Sequence, residues 1–110
     1  MRGMGKIACE LALIVDALKS IKHVSRIYLF GSYARNCATI SSDVDIAIIN
    51  TFTGTSMELK NQVVQRMYEV YTGDLDFQFT FVNENIFITC NKPLQVSNSI
   101  KKEGILLWQR

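Results

Sequence analysis

Proline is nearly missing from this chain, with one residue at position 93, and glycine is held to six. Collagen-like, linker-like and disordered compositions are thereby excluded. Cysteine is scarce too. Cys9, Cys37 and Cys90 are an odd number, far apart, with no C-x-x-C pair, so neither a disulfide framework nor a zinc site is expected, and a reducing cytoplasm is the simplest setting. An excess of charge is also lacking: twelve Lys+Arg against ten Asp+Glu leave a formal +2. That is too little to indicate a nucleic-acid or membrane surface by electrostatics. No apolar run approaches the ~18 residues of a membrane span, and Glu10 and Asp16 interrupt the N-terminal stretch where a signal peptide needs an unbroken apolar core. What is present is 48% apolar residues over 110 positions, which predicts one soluble domain, residues 1–110, around one hydrophobic core.

Along the chain the apolar pattern changes period several times. Ile7, Leu11, Ile14, Val15, Leu18 and Ile21 recur at helical spacing, predicting an amphipathic helix over residues 7–21. The β-branched and aromatic run at 26–30, stopped by Gly31, reads as a buried strand. A second strand is expected over 43–49, with Asp43, Asp45 and Ala47 on one face and Val44, Ile46 and Ile48 on the other. Thr55 followed by Glu58 has the capping-box pattern, and Leu59, Val63, Met67 and Val70 follow at helical spacing, so a long helix should run to about Tyr71. Residues 75–81 alternate, with apolar side chains at 75, 77, 79 and 81 and Asp74, Asp76 and Gln78 on the polar face. Beyond Pro93, residues 94–103 read as a short helix stopped by Gly104, and residues 105–108 as a last strand or a packed tail. The order is αβ-αβ-like with a short β end, an α/β (α+β) chain.

The chain has five Asp, and four of them fall into two Asp-x-Asp pairs, Asp43-Val44-Asp45 and Asp74-Leu75-Asp76, both on predicted strands. Strands disfavour Asp, and two carboxylates on one strand face repel unless a cation lies between them. Each pair is therefore a candidate hard-metal site. Mg²⁺ takes one or two protein carboxylates and completes its shell with water and substrate phosphate, so the implied ligand is a nucleotide. Solvated strand ends are the bland alternative for either pair alone. Gly31-Ser32, directly after a buried strand, places backbone N–H groups where an anion can bind. The Ser32 hydroxyl can donate to a phosphate oxygen, and Arg35 can reach a phosphate or a structural carboxylate.

Gly31-Ser32, then ten residues, then Asp43-x-Asp45 and a later strand Asp together resemble the signature of the polymerase β-like nucleotidyltransferase superfamily. The whole chain looks like its minimal nucleotidyltransferase (MNT) group, from the first helix through Phe30-Gly31-Ser32-Tyr33-Ala34-Arg35 and Ser42-Asp43-Val44-Asp45-Ile46 to the ending 100–108. Asn36 departs from the pattern, which most often has Gly after Ala-Arg. The resemblance implies a nucleotidyltransferase fold, a mixed sheet of about four strands packed against helices. It implies that Asp43, Asp45 and Asp76 hold two Mg²⁺ ions, and that Gly31 and Ser32, with Arg35 nearby, bind the phosphates of ATP. It also implies transfer of AMP to a hydroxyl, in this group a tyrosine of a helical HEPN toxin, which makes the chain an antitoxin. Asp76 is preferred to Asp74 because its Leu75-Asp76-Phe77 setting is closest to the family's apolar-flanked Asp.

Two other readings stand beside it: a non-catalytic module that neutralises its partner by complex formation, and a transferase acting on a small molecule or RNA. The remaining conspicuous residues have plain explanations. His23 reads as a surface or capping residue, Cys37 as an inert thiol despite its place in the motif loop, and Tyr68 and Tyr71 as packing groups. Tyr33 is a candidate for base stacking or modification. Trp108 with Leu106-Leu107 belongs either to a last core strand or to a homo-oligomer surface.

Overall fold

The computed structural model describes residues 7–35, 37, 43–71, 73, 76–89, 100 and 102–110. The first helix, α1, spans Ala8–Leu18 and buries Leu11, Ile14 and Leu18, the apolar face that the sequence spacing selects. It is shorter than the predicted 7–21. The Ser20 hydroxyl donates to Ala17 O at 2.7 Å, a local bond that competes with helix continuation, and the bonds Ile21 N–Leu18 O and Val24 N–Ile21 O turn the chain into the sheet.

Strand β1 is Val24–Phe30 and β2 is Val44–Asn50. Helix α2, Ser56–Val70, begins where the capping box puts it: the Thr55 hydroxyl accepts from Glu58 N at 3.2 Å. Leu59, Val63 and Met67 are its buried stripe. Tyr68 on the same helix is 67% exposed, so its predicted packing role is wrong: the helix turns it away from the 59–63–67 stripe. Tyr71 does pack, its ring edge-on to Phe77 at 5.3 Å.

Strand β3 is Phe77–Asn83, two residues later than the predicted 75–81. Its ladder with β2 runs on to Asn50 opposite Asn83, and buried Asn50 closes it, with Nδ2 donating to Val82 O and Ile48 O, both at 3.2 Å. A short helix, α3, Glu84–Thr89, follows at once. The sequence reading missed it. Its signal is the Asn83 side chain accepting from Asn85 N at 2.9 Å, an Asx start. Most of the predicted helix 94–103 lies outside the described residues; Ile100, Lys102 and Glu103 are helical. The chain then forms β4, Ile105–Gln109, so the 105–108 segment is a strand, with Trp108 packed against the core and Leu106 46% exposed.

The four strands form one mixed sheet in the order β3-β2-β1-β4. β2 and β3 are parallel, joined through α2, and β1 runs antiparallel to both β2 and β4. One sheet face, with Val44, Ile46, Ile48 and Leu29, packs on α1 and α2. Each fully buried Val or Ile there contributes about 1.5–3 kcal/mol. The other face carries Ala47, Ile49 and Val82 beneath Phe87 of α3 and Ile100. Because β1 alone runs against the other three strands, its C-terminal end lies at the same end of the sheet as the N-terminal ends of β2, β3 and β4.

Candidate functional site

Every carboxylate and turn singled out in the sequence and described by the structure lies at that end. Gly31 follows β1, Asp43 and Asp45 lie at the start of β2, and Asp76 immediately precedes β3. The pairing of β1 with β2 sets Phe30 opposite Asp45, which brings the Gly-Ser turn and the Asp-x-Asp pair side by side although the sequence separates them. Gly31 has φ +74°, in the left-handed region that favours glycine. A Cβ there would run into the Asp45 carboxylate, lying 3.0 Å from Cγ and closer still to Oδ2. Glycine is thus needed twice, for its backbone and for the space that Asp45 fills.

The segment 31–35 is a single turn, with Arg35 N donating to Gly31 O at 3.1 Å and Cys37 N to Ser32 O at 2.9 Å. The leading amides of such a turn have no carbonyl partner within it. Tyr33, 5% exposed, is a core residue that anchors the turn, not an available stacking or modification group. Asn36, the departure from the family pattern, lies outside the described residues.

By strand alternation Asp43 and Asp45 point to the same sheet face as Ala47, away from the two long helices. Asp45 is half-buried and Asp43 exposed. Burial and then the charge of Asp43 push the Asp45 carboxyl above its ordinary pKa, and the Arg35 guanidinium partly offsets this. Repulsion between neighbouring carboxylates is the electrostatic condition that a divalent cation relieves. The oxygen donors suit Mg²⁺. In the parallel ladder Val44 pairs with Phe77, and Asp76 O accepts from Val44 N at 2.8 Å, so Asp76 flanks Asp43 at the mouth of the two strands. The three side chains are not gathered more tightly than that: among the described residues no group of three His, Cys, Asp or Glu is arranged to hold a metal. Asp74, the alternative third carboxylate, lies outside the described residues.

Arg35 is exposed and held by neighbours that keep it charged, the Cys37 side chain first and Glu103 next. Its Nη1 donates to Glu103 Oε2 at 3.3 Å. Cys37 therefore has a contact that the sequence reading did not foresee. Glu103, 68 residues from Arg35 in the chain, was also missed, since only the β1–β4 pairing brings the two together. His23 lies far from this end, its ring against Phe52 at 5.2 Å and its carbonyl accepting from Thr51 N.

Comparison with known proteins agrees with the arrangement. Residues 13–110 match the family model described as polymerase beta, nucleotidyltransferase. A search of curated protein sequences finds no match. Among solved structures, a Sulfolobus solfataricus protein described as a nucleotidyltransferase superposes with a TM-score of 0.60 at 21% identity, covering 97% of this chain and 81% of that one. A toxin–antitoxin structure with AMP-PNP gives 0.63 at 23% identity, covering 91% and 73%. An MntA–HpeT toxin–antitoxin variant with two Asp→Glu exchanges gives 0.60 at 21%, again covering 91% and 73%.

Proposed function

The chain belongs to the polymerase β nucleotidyltransferase family, and from that premise we propose that it transfers AMP from ATP to a hydroxyl group, with a tyrosine of a HEPN-type toxin as the acceptor. The observation that carries the reading is the fit of the Asp45 carboxylate against Gly31, which sets the candidate phosphate turn against the acidic pair at one end of the sheet. Asp43 and Asp45, with Asp76 beside them, are the residues that would hold Mg²⁺. When bound, Mg²⁺ supplies charge neutralisation at the phosphates and lowers the pKa of the attacking hydroxyl.

The chain's own groups do the rest. Gly31 and Ser32 present backbone N–H groups and a hydroxyl to the β- and γ-phosphates, and Arg35 adds positive charge beside them. The acceptor oxygen attacks the α-phosphorus, the bond to the bridging oxygen breaks, and pyrophosphate leaves. The acceptor's proton passes to the carboxylate of Asp76, an exposed residue open to an incoming side chain. A protein acceptor is supported by the toxin–antitoxin neighbours, one of them with AMP-PNP.

The toxin–antitoxin neighbours also fit a second reading, a module that neutralises a toxin by binding alone. Incubation with labelled ATP, Mg²⁺ and candidate HEPN proteins separates the two. Label on a partner tyrosine supports transfer, whereas a stable complex without label supports the binding module.

A further inference from the structure

We propose that Glu103 is a positioning residue: through its ion pair it holds the Arg35 guanidinium beside the Gly31 turn, ready for the β- and γ-phosphates of an incoming nucleotide. This rests on reading that turn as the triphosphate cradle.

The placement is built by the sheet. β4 lies antiparallel to β1 with Leu29 opposite Ile105, so the residues just before β4 sit beside the residues just after β1. Ile100 is fully buried under the sheet face that carries Asp45, and Gly104 N donates to Ile100 O at 2.8 Å, closing the turn that carries Glu103. Gly104 permits this closeness, for a Cβ there would lie 2.5 Å from Ile100 O and 3.2 Å from the Tyr28 ring. Glu103 is thus fixed in place by a buried anchor and a tight glycine.

The turn awaits an anionic ligand, and an uncompensated Glu beside it would repel that ligand. The pair is half exposed on both sides, 52% for Arg35 and 50% for Glu103, and such pairs contribute little to stability. Its value lies in geometry. Left alone, Arg35 is drawn to the half-buried Asp45, whose charge it already senses. Pairing with Glu103, alongside the Cys37 side chain, draws it away from Asp45 and leaves its remaining N–H donors for phosphate.

The test is calorimetric titration of the full chain with Mg²⁺–ATP and, separately, with AMP, which lacks the β- and γ-phosphates. We compare wild type, Glu103→Gln, Arg35→Gln and the double variant. Glu103→Gln should weaken Mg²⁺–ATP binding by about 3- to 10-fold, leave AMP binding unchanged, and add nothing further in the Arg35→Gln background, since coupled residues are non-additive. Three results overturn the inference: unchanged or tighter ATP binding by Glu103→Gln, equal weakening for AMP and ATP, or additive losses in the double variant. If wild type binds no Mg²⁺–ATP at all, the triphosphate reading itself falls, and the inference with it.

Discussion

Asp45 carries the sharpest conflict in the molecule, a carboxylate half-buried on a strand with Asp43 two residues away. Its folded-state pKa is raised by burial first and by Asp43 second, so the folded chain holds this proton more tightly than the unfolded chain does. Stability linked to it is present below the unfolded carboxylate pKa and is lost as pH rises through the folded value. Asp45→Asn should therefore raise the melting temperature in EDTA at pH 7, and the gain should vanish below about pH 3.9, where the wild-type group is protonated in both states. The same variant should lose nucleotidyl transfer by about 100-fold or more, on the order of 3 kcal/mol of transition-state stabilisation. Melting curves at the two pH values and a labelled-ATP assay check both halves. Gly31→Ala should fail in the opposite sense. Its positive φ costs roughly 1–2 kcal/mol for a residue with a Cβ, and that Cβ displaces Asp45, so both stability, read by urea unfolding, and transfer should fall.

At the scale of elements, the proposed site depends on two parallel strands starting together. Val44 pairs with Phe77, which puts Asp76 next to the Asp43–Asp45 pair. Asp76→Ala should then reduce transfer by several orders of magnitude, as loss of a ligand and a proton acceptor, and Asp74→Ala should cost much less. Rates measured side by side decide it, and the reverse ranking would move the site outward by one residue pair. The register also accounts for the late start of β3. Asp76 supplies only its carbonyl to the ladder, and the strand proper begins at the first aromatic residue, Phe77, whose ring can pack on Tyr71 and Phe79.

For the whole molecule the sheet divides the labour. One face spends its apolar residues on α1 and α2, and the other, under α3 and Ile100, carries the acidic pair at its open end. Mg²⁺ together with ATP, binding only the folded state, should raise the melting temperature by mass action, about 2.7 kcal/mol of stabilisation at a hundred times Kd. EDTA should abolish the shift. Its absence at millimolar ligand would favour the non-catalytic module. Among the described residues no helix is long and apolar enough to cross a membrane.

Local chemistry alone determined much of this. Thr55 and Glu58 marked the start of α2 because a capping box is a contact between residues three apart. The change of apolar period marked the strands, and of the two acidic pairs only Asp45 lies within a strand of the structure, Asp43 and Asp76 standing just ahead of β2 and β3. Gly31-Ser32 and Asp43-x-Asp45 were legible as candidates for the same reason, since the turn and the acidic pair are each built from near neighbours. Tertiary structure alone decided which of these meet. That Gly31 makes room for Asp45, that Glu103 grips Arg35 across 68 residues, and that Tyr33 is core while Tyr68 is exposed all follow from the β3-β2-β1-β4 order and from which face each helix covers. Pairing between distant segments is set by the summed burial of both sheet faces, a property of the whole chain that no short window of sequence contains.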